Sequence, residues 1–505
     1  MTAVRRRARQ ATAATVASTA FVSALIGAAG VAQASPGLGY DPLTDKGSLT
    51  NVEAVIGARD LYAAGFTGKG VGVALIDTGV ARVPGLTSGN VVDGADLSFD
   101  SQDPTTAHTD GFGHGTHLAS IIAGRDAAGT PASYLDPSLY HGVAPDVSLV
   151  NVKVGASNGA VDVSQVIAGI DWVVEHAGDN HVRVINLSYG TDSVQSSMVD
   201  PLAFAVENAW KHGIVVVAAG GNDGETSKTL ADPASDPHVV AVGAMDDAGT
   251  VAATDDTVPA WSTHGTTARH VDVVAPGVSL LGLRVPGGTA DSANPQARVG
   301  TRFARASGTS QAAAVVSGEV ALMLQANPTL TPDQVKSLLQ GNAGRVTRST
   351  TTMSGSGQTD LRKVLVQLLK LAPIPAPPAS SWGSGTGSLE AARGSAHVAA
   401  GDVVLNGEVD VFGVPWNGAQ WASQDSDRKA WKEGTWRGET LTGKGWRDSG
   451  HGRKSWPTTA WTLTTADGVV SSDWTARMWR DDAWTARMWR DDSWSARMWR
   501  EQSWS

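Results

Sequence analysis

Ser310 lies where a glycine-containing turn, Ser307-Gly308-Thr309, runs into a stretch of small apolar residues that begins Ala312-Ala313-Ala314. A helix that starts there presents unpaired N–H groups and a partial positive charge. A serine in that position either caps the helix or faces a ready site for developing negative charge, as a nucleophile needs. Asp77 belongs to a second stretch, Leu75-Ile76-Asp77-Thr78-Gly79, at the end of an apolar run that reads as a buried parallel strand. Ligands of open α/β sheets gather beyond the carboxyl ends of strands. Asp77 falls there, although an ordinary turn aspartate would look the same. His114 stands between two glycines in Asp110-Gly111-Phe112-Gly113-His114-Gly115-Thr116-His117, at the mouth of an apolar helix. His114 and His117 would suit a metal pair, but no nearby carboxylate completes a spaced ligand set, and no metal ligands are assigned.

Positioning these groups takes an α/β scaffold. Residues 50–345 alternate strand and helix signals. Strands are expected at 71–76, 148–152, 184–188, 214–218, 239–244 and 271–275. Helices are expected at 117–123, 163–176, 202–212, 311–325 and 332–340. The last has a clear start, with Thr331 as N-cap, Pro332 first in the helix and Gln334 three after the cap. Such alternation implies a mostly parallel sheet with helices on both faces. The strands are continuously apolar, as doubly covered strands must be.

In chain order and spacing, Asp77, His114 and Ser310 resemble the triad of the subtilisin-like serine proteases, the subtilases. The resemblance covers roughly residues 50–345 and implies their three-layer α/β fold and acyl-transfer chemistry. Asp77 would orient His114, and His114 would take the Ser310 proton. Val215-Val216-Val217-Ala218-Ala219-Gly220-Gly221-Asn222 is similar to the segment ending in the family's oxyanion asparagine. Asn222 would then donate its amide beside the backbone N–H of Ser310. Ser188-Tyr189-Gly190 resembles the edge on which an extended peptide substrate adds a strand. Ala219-Gly220-Gly221 would form the opposite wall of the specificity pocket. The sequence departs from the family at Tyr189, bulkier than expected, and at Gly220, where alanine is usual. Gln311 stands where methionine is usual, and Ala314 and Val315 replace proline and histidine. Asp223 adds an acid near the pocket base, which would favour basic or polar substrate side chains. The chemistry requires no cofactor; structural calcium is a family expectation with no mapped ligands.

The chain has 505 residues, no cysteine and a formal net charge of −10. The length fits about three domains. Without cysteine there is neither a disulfide nor a thiol nucleophile. Residues 1–34 carry Arg5, Arg6, Arg7 and Arg9 before an uncharged Ala/Val-rich run ending Ala32-Gln33-Ala34, the pattern of a secretory signal peptide. A retained anchor is the alternative. Residues 35–49 form a short N-terminal segment. They are too few for the folding propeptide that the resemblance implies, so no self-inhibiting prodomain is expected. After the catalytic domain, 50–345, residues 346–400 read as a linker. It holds a short helix at 361–371 and a stiff stretch, Pro373-Ile374-Pro375-Ala376-Pro377-Pro378.

Residues 401–505 form a Trp-rich tail. Of 18 tryptophans, 14 lie from Trp416 to Trp504, so the tail's composition is unlike the rest of the chain. They fall on five-residue grids, and Trp-Thr/Ser-Ala-Arg-Met-Trp-Arg recurs every ten residues. Five residues turn by about 140° on an α-helix, and on a strand they alternate faces. The spacing therefore gives no simple buried face. The tail is similar to Trp-repeat tails of secreted actinobacterial subtilases. It reads as a low-complexity extension, disordered in isolation. It would also serve to bind a cell-wall polymer, with arginines stacked on the rings. Residues 401–505 carry 14 basic and 15 acidic side chains, so with an acidic body no nucleic-acid partner is expected. The expectation is a secreted, monomeric endopeptidase acting on protein or peptide, associated with the cell surface or wall. The alternative is an attachment protein that works mainly through its tail.

Overall fold

The computed structural model describes residues 38–369 except Lys228, residue 374, residues 380–400, residues 403–440 except Glu433, and a backbone strand at 461–465. The expected signal peptide, most of the Pro-rich stretch and the second tryptophan grid, 474–504, lie outside the described residues.

Seven parallel strands form the central sheet. They are β1 (Gly72–Asp77), β2 (Val91–Asp96), β3 (Ser148–Lys153), β4 (Val182–Leu187), β5 (Val215–Ala219), β6 (Val240–Met245) and β7 (Val273–Pro276). Their order is β2-β3-β1-β4-β5-β6-β7. Strands β1, β5, β6 and β7 are buried at every position, which accounts for their unbroken apolar sequence. Six of the seven were expected. Strand β2 lies at the sheet's edge with Asp93 and Asp96 in it, and its mixed burial left no apolar run to read. A second sheet, β8 (Leu280–Leu283), β9 (Arg298–Val299) and β10 (Phe303–Ala306), is antiparallel in the order β8-β10-β9 and was not anticipated.

Helices α1 (Leu49–Ile56) and α2 (Ala58–Ala63) precede the sheet. Helices α3 (His114–Ala123), α4 (Val163–His176), α5 (Pro201–Lys211), α6 (Thr289–Ala293), α7 (Thr309–Ala326) and α8 (Pro332–Asn342) follow. Helix α7 is buried from Thr309 to Leu324 and packs against β4, β5, β6 and β7 on one side and α3 on another. A helix covered all round must be apolar all round. Helix α8 has the expected capping box: Gln334 N–H donates to Thr331 Oγ1 at 3.2 Å, and Thr331 N–H to Gln334 Oε1 at 3.0 Å.

The expectation beyond residue 345 needs correction. Helices α9 (Thr351–Ser354) and α10 (Leu361–Leu369) continue the body, α10 packing on α2, α7 and α8. Further on come α11 (Leu389–Arg393), β11 (Ala396–Ala400), β12 (Val403–Val404), α12 (Gly418–Ser426), the hairpin β13 (Trp431–Lys432) and β14 (Thr435–Trp436), and β15 (Trp461–Thr465), which pairs with β11. This part covers α4 and α5: α12 packs on α5, α11 on both, β13 on α4. It is neither linker nor loose tail over its described length. Trp421 and Trp436 are fully buried, and their indole N–H groups both donate to Asp171 Oδ2, at 2.9 and 2.7 Å. Trp431 donates to Ala168 O at 2.8 Å. Buried Arg393 pairs with Asp162, the N-cap of α4, at 2.7 Å. The five-residue spacing buries Trp416, Trp421, Trp431 and Trp436 because the chain changes from helix to hairpin between them. No single element has to keep them on one face.

Candidate active site

Asp77 ends β1, and Ser188 and Asn222 follow the carboxyl ends of β4 and β5, the three strands being neighbours in the sheet. They therefore lie along one edge, the usual place for ligands in such sheets. Asp77 is buried, and Thr78 N–H donates to its Oδ1 at 2.8 Å. His114 Nδ1 stands 2.9 and 3.0 Å from the two Asp77 oxygens, and both side chains are shielded from solvent. A carboxylate facing Nδ1 favours the tautomer protonated there, which leaves Nε2 as the basic nitrogen.

Helix α3 begins at His114, three residues before the expected start, because Asp110 caps it from outside. Asp110 Oδ1 accepts Phe112 N–H and Gly113 N–H at 3.0 and 2.7 Å. Its Oδ2 accepts Thr116 N–H and Thr116 Oγ1–H at 2.8 and 2.7 Å. Those bonds satisfy donors that a helix start otherwise leaves unpaired. Lys153, opposite Asp77 in the sheet, buries its ammonium against Thr78 O at 3.1 Å, Thr109 O at 2.6 Å and Asp100 Oδ2 at 2.9 Å. It fastens the loop after Asp77 to the loop before Asp110. His117 points the other way, with Nε2 3.3 Å from Ala304 O in β10. Burial, helped by nearby His114, pushes its pKa down to about 4, so it is neutral and structural.

Ser310 is buried in the first turn of α7, beside α3. Its hydroxyl makes no hydrogen bond among the described residues. Contacts of this kind often shorten only when substrate binds. Asn222 Oδ1 accepts Thr309 N–H at 2.9 Å and Thr309 Oγ1–H at 3.1 Å. Thr309 Oγ1 in turn accepts Gly221 N–H at 3.2 Å. With its oxygen held this way, the amide turns Nδ2 toward Gly308. A Cβ placed on Gly308 would stand 3.6 Å from Asn222 Nδ2, 3.7 Å from Ser310 N and 2.6 Å from Gln311 Oε1. A Cβ there would press on the end of the Gln311 side chain and touch both N–H groups at ordinary contact distance.

The expected substrate edge is mixed. Ser188 Oγ donates to Ser310 O at 3.4 Å, tying the end of β4 to α7. Tyr189 is buried in the core rather than displayed on the edge, which corrects the expectation of a bulky group facing substrate. Gly190 is buried beside it. Opposite, Ala219 ends β5, and Gly221 O accepts Thr263 N–H at 3.0 Å. A Cβ on Gly220 would meet Val271 Cγ1 at 2.8 Å and Val242 O at 3.1 Å. The missing methyl therefore makes room for the core, and does not widen a pocket. Asp223 is half-buried, its N–H donating to Thr263 Oγ1 at 3.0 Å. Sequence reasoning assigned no role to Thr309, Asp110 or Lys153. The first two lie inside the quoted motifs; Lys153 is signalled only as a cation ending an apolar strand.

Calcium stays without mapped ligands among the described residues. Their one cluster of three or more His, Asp and Glu is Glu207, Asp236 and His238, and an imidazole donor does not suit calcium.

A parallel sheet carrying a carboxylate–imidazole pair and a helix-borne serine along one edge is the architecture of the subtilisin-like serine endopeptidases. Residues 68–363 match Peptidase_S8, the subtilase family. The chain is 37% identical over 299 residues to "Serine protease AprX" of Bacillus subtilis (strain 168), covering 58% of this chain and 65% of that one. It is 35% identical over 291 residues to Subtilisin DY of Bacillus licheniformis, covering 57% of this chain and 89% of that protein. A crystal structure of a cold adapted subtilisin-like serine proteinase is similar at 31% identity, with a TM-score of 0.44, over 58% of this chain and 90% of that one. The chain belongs to the subtilase family.

Proposed function

We propose that the chain hydrolyses internal peptide bonds of proteins or peptides, with Asp77, His114 and Ser310 as its triad. The observation that carries this reading is His114 Nδ1 bridging both Asp77 oxygens, in the first turn of a helix packed beside the helix whose first turn holds Ser310. His114 Nε2 takes the Ser310 proton as Oγ attacks the peptide carbonyl. Asp77 stabilises the imidazolium. The oxyanion of the tetrahedral intermediate is met by Asn222 Nδ2 and Ser310 N–H. His114 then gives its proton to the leaving amine, and water repeats the cycle on the acyl-enzyme. Every proton moves between groups of this chain and substrate, so the chemistry needs no cofactor. Substrate would lie along Ser188-Tyr189-Gly190 and Ala219-Gly220-Gly221 through main-chain hydrogen bonds, Tyr189 contributing backbone only.

Secretion is proposed on the pattern of residues 1–34. No helix among the described residues is long and apolar enough to cross a membrane. The acting form is read as a monomer, and association with the cell surface or wall as a property of the tail beyond residue 465.

Digestion of a mixed peptide library tests the reading. Unsubstituted protein should cleave and Ser310→Ala should not. Cleavage persisting in Ser310→Ala would refute the nucleophile assignment, and the cut sites would define the pocket.

A further inference from the structure

We propose that Glu207, Asp236 and His238 form a zinc-type metal site, separate from the triad, at the seam where the C-terminal segment meets the body. Glu207 lies in α5. Asp236 and His238 lie in the loop that leads into β6. All three are buried, and their ligand atoms lie within 4.8 Å of one another. His238 Nδ1 is 3.7 Å from Glu207 Oε1 and 3.5 Å from Asp236 Oδ1. Hydrogen bonds between such groups close to about 2.7–3.2 Å. Both gaps are longer, and neither His238 Nδ1 nor Asp236 Oδ2 has a hydrogen-bond partner among the described residues. Unmade contacts of buried polar groups are costly. A tetrahedral zinc with bonds of about 2.0–2.1 Å holds its ligand atoms about 3.3 Å apart, near the two separations from His238 Nδ1.

The ligands are also held from behind, as metal ligands usually are. Gly383 N–H donates to both Glu207 oxygens at 2.8 Å. His238 N–H donates to Asp236 Oδ1 at 2.7 Å. The Trp382 ring stacks on the His238 imidazole at 3.7 Å and 12°. Two cations compete for the carboxylates: protonated His238 itself, ion-paired with Asp236 and Glu207, and Lys211, whose ammonium stands 3.5 Å from Glu207 Oε2 and 4.3 Å from the Trp382 ring centre. Lys211 approaches Oε2, whereas the gap lies on the Oε1 side. One imidazole nitrogen and two carboxylates suit zinc better than calcium or magnesium. Three protein ligands leave a fourth position for water. Such an ion would join α5, the loop before β6 and the chain at Trp382–Gly383 at one point.

The test uses the full chain carrying Ser310→Ala, so that self-digestion does not intrude, and its binding readout is independent of peptidase activity. Metal is stripped with a chelator and Zn2+ is added back in a calorimeter. One equivalent should bind, Tm should climb with the logarithm of free Zn2+, and Ca2+ should do neither. Co2+ in place of Zn2+ should give the visible absorption of a four-coordinate ion. His238→Asn and Glu207→Gln should each weaken Zn2+ binding at least about 100-fold, the upper end for disturbing a metal shell. Zn2+ binding that is absent, or unchanged in both variants, would overturn the proposal. If the variants do not fold, zinc-edge X-ray absorption on the unsubstituted ligand set decides. One imidazole with oxygen donors supports the site, and any other first shell overturns it.

Discussion

Thr309 leaves the neighbouring asparagine little freedom. Its backbone and hydroxyl both bind Asn222 Oδ1, and its hydroxyl also receives Gly221 N–H. Asn222→Ala should lower kcat about 100- to 1,000-fold with little change in KM, a range set by measurements on subtilisin's own oxyanion asparagine. Thr309→Val keeps the shape but loses the hydroxyl, and should lower kcat about tenfold, the worth of one ordinary hydrogen bond. Steady-state kinetics on a peptide ester would separate these from a general loss of folded protein. A KM effect without a kcat effect would contradict both. Gly220→Ala makes a different prediction. Its methyl would press on Val271, so it should destabilise the protein by about 1–3 kcal/mol and leave the pattern of cleaved peptides unchanged. A denaturant melt beside a library digest reads both. The residues proposed as the triad were singled out because each lies in or beside a short glycine-containing motif. The packing of Gly220 was not readable because its neighbour Val271 lies far along the chain.

Among the elements, α7 carries the least expected residue. Glu319 is fully buried in this helix, with Thr359 Oγ1–H donating to one oxygen at 2.7 Å. Burial pushes its pKa up to about 8 against the Thr359 hydrogen bond, with the charge of Asp360 adding to the rise. Between the unfolded-chain value of 4.5 and about 8, the folded protein keeps a proton that the unfolded chain has lost. The contribution of Glu319 to stability must therefore fall as pH rises through that window and level off above it. Glu319→Gln removes the dependence. Its Tm advantage over the unsubstituted protein should widen from about pH 5 to about pH 8 and then hold. A constant difference at every pH would show that the carboxyl does not titrate as described. The apolar strands and the helices α4, α5, α7 and α8 were readable from periodicity and caps. Strand β2, the β8–β10 sheet and α1 were not, because short or partly polar segments owe their form to the neighbours they pair with.

For the molecule as a whole, the C-terminal segment belongs to the core. A chain ending at residue 369 would bare the seats of Trp421, Trp431 and Trp436 on α4 and leave Asp162 without Arg393. Each lost tryptophan is worth about 3–5 kcal/mol, so Tm should drop by at least about 10 °C, or the protein should fail to fold. A chain ending at residue 465 keeps those contacts and should melt within about 3 °C of the full chain. Equal melting of both chains would reduce the segment to decoration. None of this was readable from the five-residue tryptophan spacing, which matches no single secondary structure. Two of the spaced tryptophans, Trp421 on a helix and Trp436 in a hairpin, meet at one buried acceptor, Asp171.

A chain grows from its amino end, so position along it is also position in time. Asp77, His114 and Ser310 are joined to the growing chain long before Trp421 and Trp436, which complete the cover over α4. During that interval the residues proposed as the triad exist, but the cover over α4 and α5 is unfinished. With its last covering pieces placed late in the chain, α4 keeps a bare face until the stretch around residue 436 has been made.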